Sequence, residues 1–186
     1  MARFRWMVCA CVALAACGGK DDANVRGEPP IVPVQQSAAE PRDTAWVVTP
    51  DGIGAVRVGM SASEAIGVTV DASDAPLTQT CAYVKAGRVP AGVGVMANGG
   101  VVARIDVDSG TVATAEGARI GDSEARIRAL YAGRVTEQPH KYTSGRYLIV
   151  TPADPARRIV FETDGRVVTA FRAGRQPEVE WVEKCG

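Results

Sequence analysis

The stretch Pro139-His140-Lys141-Tyr142-Thr143-Ser144-Gly145-Arg146-Tyr147 gathers the chain's only histidine, two of its four tyrosines and two cations. Tyrosine and arginine offer flat apolar area with polar tips, the composition of recognition surfaces. An aromatic ring can also stack on a sugar face. His140, Lys141, Tyr142, Arg146 and Tyr147 are therefore the expected ligand contacts, and the chemistry is binding of a protein or a carbohydrate. The competing reading is a solvated hairpin loop whose tyrosines cover the edge of the core.

Other chemistries lack their residues. No G-x-x-x-x-G-K-[ST] loop occurs, and no G-x-G-x-x-G follows a strand. Gly59-Met60-Ser61-Ala62-Ser63 lacks the final glycine of a nucleophile elbow. H-E-x-x-H and C-x-x-C are absent. Asp106-Val107-Asp108-Ser109-Gly110 lacks the third ligand, the spaced glycine and the closing glutamate of a calcium loop. No catalytic residue, metal ligand or cofactor is assigned, and the expectation is a non-enzyme. A hydrolase built on scattered carboxylates remains the rival class. A paired, desolvated Asp/Glu in a cleft would favour it, and a flat surface with exposed tyrosines would favour binding. Lys+Arg and Asp+Glu both number 21, so the basic excess of a nucleic-acid protein is missing.

The amino-terminal residues carry a different kind of chemistry. Arg3 and Arg5 precede an unbroken apolar run, Trp6 to Ala16, that is far short of the ~20 residues a membrane span needs. Leu14-Ala15-Ala16-Cys17 resembles the lipobox of bacterial lipoproteins. The resemblance implies a signal peptide at 1–16, cleavage before Cys17 and acyl chains on that cysteine. The mature chain would be anchored to a membrane without spanning it. In a Gram-negative envelope, Gly18 after the lipidated cysteine favours the outer membrane, facing the periplasm or the cell surface. Cys9 and Cys11 would leave with the signal. Cys81 and Cys185 would then be the two thiols left in an exported protein, which read as one disulfide.

Residues 17–44 read as the lipidated terminus and a flexible tether. They hold Pro29, Pro30, Pro33 and Pro41 with little apolar periodicity. As a coil the segment reaches roughly 30 Å. The folded part begins near Ala45-Trp46-Val47.

The elements that must position the tyrosine-rich loop show an internal echo. Arg57-Val58-Gly59-Met60-Ser61 returns as Arg119-Ile120-Gly121-Asp122-Ser123. Val95 to Val102 returns, in the same order, as Val160 to Val167. Ser61 and Glu64 form a capping box opening a helix at Ala62, which Gly67 should stop. Asp122 or Ser123 should cap a second helix carrying Ile127, Leu130 and Tyr131, closed by Gly133. Asn98-Gly99 and Asp164-Gly165 read as hairpin turns. Val101–Val107, Arg146–Thr151, Arg158–Glu162 and Arg166–Phe171 read as strands. The expected class is α+β: two tandem αβββ-like units, 45–114 and 115–186, with short helices packed on antiparallel sheet. Gly-x-Ser, a short helix and antiparallel strands, repeated, is similar to the β-lactamase-inhibitor proteins and to the small lipoproteins of the outer-membrane barrel-assembly machine. The resemblance implies a binding protein and lends no functional residue.

Overall fold

Alternating apolar residues build one long sheet. The structure, a computed structural model, describes residues 46–69, 81–84 and 89–185. The expected signal peptide at 1–16, Cys17 and the 17–44 tether lie outside these residues. In chain order the elements are β1 (Val47–Thr49), β2 (Gly52–Ile53), β3 (Val56–Arg57), α1 (Ala62–Thr69), β4 (Cys81–Val84), β5 (Val93–Asn98), β6 (Val101–Val107), β7 (Ala113–Thr114), α2 (Glu124–Leu130), β8 (Val135–Pro139), β9 (Arg146–Val150), β10 (Arg157–Thr163), β11 (Val168–Arg175) and a 3-10 turn (Glu178–Glu180). The large sheet is antiparallel throughout, in the order β4-β5-β6-β11-β10-β9-β8. A small sheet, β3-β2-β1-β7, has β1 and β7 parallel. Among the described residues, two sheets with two short helices make a mostly β arrangement, compatible with the expected α+β class or with a mainly β one.

Strand alternation gives the large sheet two unlike faces. Ile105 and Val107 of β6, Leu148 and Val150 of β9, Ile159 and Phe161 of β10, and Phe171 and Ala173 of β11 point one way. They form the main core with Val48, Ile53 and Val56 of the small sheet, Ala62 and Ala65 of α1, and Ile127 of α2. Tyr131, just past α2, packs 5.7 Å from Phe161, which lies 5.5 Å from Phe171. Its buried hydroxyl is satisfied by Thr114 at 2.6 Å and Glu116 at 2.9 Å. Burial pushes that phenol above its ordinary range. The intervening residues, Arg104, Asp106, Tyr147, Ile149, Val160, Glu162 and Arg172, face the other side.

Both helices start where the caps require. Ser61 Oγ accepts from Glu64 N (3.2 Å) while Glu64 Oε2 accepts from Ser61 N (3.0 Å), a reciprocal capping box. Ser123, in an extended conformation, accepts from Arg126 N at 3.2 Å. Gly67 does not stop α1, which continues to Thr69. A single interior glycine costs only about 1 kcal/mol, and buried Ala62 and Ala65 hold the helix on the core.

Two turns differ from expectation. Positive φ falls at Gly99 (61°) and Gly100 (77°) inside the Asn98↔Val101 pair, one residue later than Asn98-Gly99. Thr163↔Val168 encloses four residues, and Asp164 Oδ1 accepts from Arg166 N and Val167 N at 2.8 and 2.9 Å. Asp164 therefore acts as a side-chain turn former rather than as a hairpin centre. β11 accordingly begins at Val168 and not at Arg166. β8, with four of its five residues exposed, carries no strand pattern in the sequence.

The backbone around each helix start bonds to a strand in the same pattern. Gly59 N donates to Val102 O, Val102 N to Met60 O, and Ala62 N to Gly100 O. Gly121 N donates to Val168 O, Val168 N to Asp122 O, and Glu124 N to Arg166 O.

Candidate functional site

The tyrosine-rich segment is the connection of the β8–β9 hairpin. His140 N donates to Gly145 O at 3.1 Å and closes the loop. Inside it, His140 Nδ1 accepts from Tyr142 N (3.1 Å) and Thr143 N (3.2 Å). The acceptor role of Nδ1 leaves Nε2 to carry the hydrogen toward Glu162 Oε2, 3.5 Å away. The imidazole stacks on Tyr147 with centroids 4.6 Å apart. Lys141 N donates to Tyr147 Oη at 3.3 Å. Gly145 is required because a Cβ there would lie 1.8 Å from Thr163 O of β10.

Alternation along β9 separates the expected contacts. Tyr147 is 5% exposed and packs with Ile149, Val160 and Val179. Arg146 points to the opposite face, beside α2. There it pairs with Glu137 at 3.0 Å, and Arg128 pairs with both Glu137 (2.7 Å) and Glu124 (2.9 Å). Hydrogen bonding from Arg128, followed by Arg146, lowers the Glu137 carboxyl to about 2. Burial acts to raise Glu124, but hydrogen bonds from Thr163 and Arg128 outweigh it and leave the group lowered. Lys141 and Tyr142 take a third direction, toward Glu183. Lys141 Nζ lies 2.9 Å from its carboxylate, and Tyr142 Oη donates to the same oxygen. Tyr142 is nonetheless 62% exposed, the most open large apolar side chain among the described residues. Beside the loop lies a shallow depression of about 380 Å³ lined by Glu137, Gln138, Pro139, Ser144, Gly145 and Arg146.

The second face of the sheet carries a buried charged band that the sequence reading did not identify. Arg104 is 1% exposed. Its guanidinium donates to Asp106 (3.0 Å), Tyr83 Oη (3.2 Å), Glu178 O (3.0 Å) and Trp181 O (2.9 Å). Arg172, also buried, pairs with Glu162 and donates to Val179 O at 2.6 Å. Burial and then Asp106 push the Tyr83 phenol up to about 12. The carbonyls these arginines hold belong to the carboxy-terminal segment, which crosses the sheet as a strap. Val179 is fully buried, and Glu178 bonds to Asn98 and Arg175 at 3.0 and 2.7 Å. Alternation of Arg104 and Asp106 with Ala103, Ile105 and Val107 reads as a solvated strand face. Only the strap, remote in sequence, converts it into a polar interior.

The strap ends at Cys185, which is paired with Cys81 of β4 as a disulfide, Cα to Cα 5.4 Å. The expected pairing is thus the one present. Trp181 rides on the strap at 38% exposure, and Trp46 covers Gly54. Among the described residues no group of His, Cys, Asp and Glu could hold a metal ion, and no helix is long and apolar enough to cross a membrane. No family model, curated protein or solved structure matches the chain.

Proposed function

We propose that the chain is a non-catalytic, cell-envelope lipoprotein that binds an envelope protein or polymer through the β8–β9 loop. The observation that carries this is Tyr142, open to solvent on a loop whose backbone is fixed by His140, Tyr147 and Gly145. A rigid scaffold presenting an exposed tyrosine beside a shallow depression is the usual anatomy of a recognition surface. Lys141 and Tyr142 carry the exposed side of the loop toward Glu183, and Arg146 lines the depression on the other face. His140 and Tyr147 support the loop from beneath. Binding is favoured over hydrolysis because Glu137, which lines the depression, and Glu124, which shares Arg128 with it, are both lowered by their hydrogen-bonding partners. Neither is held protonated as a general acid would be.

The anchor in this reading is acyl chains on Cys17, supported by the charged n-region, the apolar run and Leu14-Ala15-Ala16-Cys17. We also read the folded part as two related units, 45–114 and 115–186. What supports that is the repeated Gly-x-Ser segment together with the matched trios of backbone hydrogen bonds at Gly59, Met60 and Ala62 and at Gly121, Asp122 and Glu124.

The test uses the full chain with Lys141→Ala and Tyr142→Ala combined, titrated against purified envelope polysaccharide and against solubilised envelope protein. One of the two should bind the parent chain, and the double variant should lose at least roughly tenfold in affinity. Equal affinity of parent and variant would remove the loop from the site. In parallel, Cys17→Ser should shift the protein from the membrane to the soluble fraction.

A further inference from the structure

The strap is held in two different ways along its length. Up to Trp181 it is seated by burial of Val179 and by arginine bonds to three of its carbonyls, those of Glu178, Val179 and Trp181. Beyond Trp181 the anchors thin out. Val182 is half-buried and packs against Tyr147, Ile149, Val160 and Val179, beside voids of about 50 and 90 Å³. Lys184 pairs with Asp108, and Glu183 pairs with Lys141, all four side chains about half exposed or more. Exposed pairs of this kind contribute little each. The covalent bond from Cys185 to Cys81 is therefore the dominant restraint on Glu183–Cys185.

Glu183 connects this restraint to the recognition loop. Its carboxylate takes both Lys141 Nζ and Tyr142 Oη, and these two bonds lower its own pKa, Tyr142 contributing first. The contact fixes Tyr142 without covering it, since the side chain keeps its 62% exposure. We propose that the Cys81–Cys185 disulfide is a redox latch that sets the order of the 140–145 loop through Glu183. A dithiol reductant opens it. One thiolate attacks a sulfur of the bond, the other protein sulfur leaves as a thiolate, and the second thiol of the reductant resolves the mixed disulfide. Two electrons and two protons pass to the protein, and the reductant becomes a cyclic disulfide. Residues 183–185 are then released, Glu183 withdraws, and the Lys141 and Tyr142 side chains must be ordered afresh by any ligand, on a loop whose base His140, Tyr147 and Gly145 still hold. The consequence for affinity rests on the loop being the contact surface. The coupling of disulfide to loop does not.

Hydrogen–deuterium exchange of the full chain tests the coupling without a ligand. Three forms are compared with the oxidised parent: the parent reduced and capped with iodoacetamide, Cys81→Ser with Cys185→Ser, and Glu183→Ala, which keeps the disulfide. In each, amides of residues 140–145 should exchange roughly three- to tenfold faster, the effect of losing two partly exposed contacts. In Glu183→Ala, which keeps the disulfide, amides of α2 should stay within twofold. Unchanged exchange in the loop once 183–185 are free would overturn the latch. If reduction loosens the whole fold, Glu183→Ala decides alone, and an unaltered loop in that variant overturns the proposal equally. If the loop loosens in all three forms while ligand affinity holds, the latch stands and the loop is not the contact surface.

Discussion

Arg104 illustrates how much of this molecule rests on single charged side chains. It is buried against Asp106 and Tyr83 and holds two strap carbonyls. Arg104→Ala would strand a buried carboxylate and two acceptors. The expected loss is ~3–5 kcal/mol, read as a lower denaturant midpoint at unchanged slope. Glu137 gives the pH dependence. Its folded value of about 2 lies below the ~4.3 of an unfolded glutamate, so its contribution is complete above the unfolded value and is lost as pH falls toward 2. Because Glu137 is partly exposed, the effect is modest and screened by salt. Glu137→Gln should flatten the fall of the unfolding midpoint between about pH 4 and pH 2, and a midpoint curve that superimposes on the parent's would refute the pairing. At this scale the sequence was partly legible. Ser61, Glu64 and Ser123 announce their caps because capping is local in the chain. Arg104 does not announce its burial, because the carbonyls that cover it lie 74 and 77 residues further along the chain.

At the scale of elements, apolar patterning revealed the strands that carry it and missed the one without it. β6 is visible as partial alternation and β9 as a short unbroken apolar run, Tyr147 to Val150. β8 is an edge strand with only Val135 half-buried, so its Val-Thr-Glu-Gln-Pro reads as loop. With β8 present, the tyrosine-rich loop joins two strands of a hairpin. That matters for the site: a hairpin sends Arg146 and Tyr147 to opposite faces, which neighbouring positions in a sequence do not disclose. Pro139, at the end of the edge strand, also lacks the N–H that an added strand would need there. β8 is thereby blunted against edge pairing, and the loop beyond it is the better recognition surface.

For the molecule as a whole, the pairing of Cys81 and Cys185 follows from arithmetic on the cysteines, whereas the strap that it fastens does not. The two residues are 104 apart, and closing a loop of that length is worth ~4–5 kcal/mol in the chain-entropy account. Cys81→Ser with Cys185→Ser should lower unfolding stability by up to that amount, checked by denaturant titration against the oxidised parent. A loss below about 1 kcal/mol would mean that the strap is held by its arginine bonds alone. The large sheet joins strands from both expected units through the β6–β11 pair, so the disulfide fastens a segment of the second unit across strands of the first. The most direct measurement of the account is photo-crosslinking in the intact cell envelope. A photoreactive residue replaces Tyr142 in the full chain, with Thr169, exposed on β11, replaced as the control. A discrete crosslinked adduct is expected from position 142 and none from position 169. No adduct at 142, or the same adducts from both positions, would contradict it.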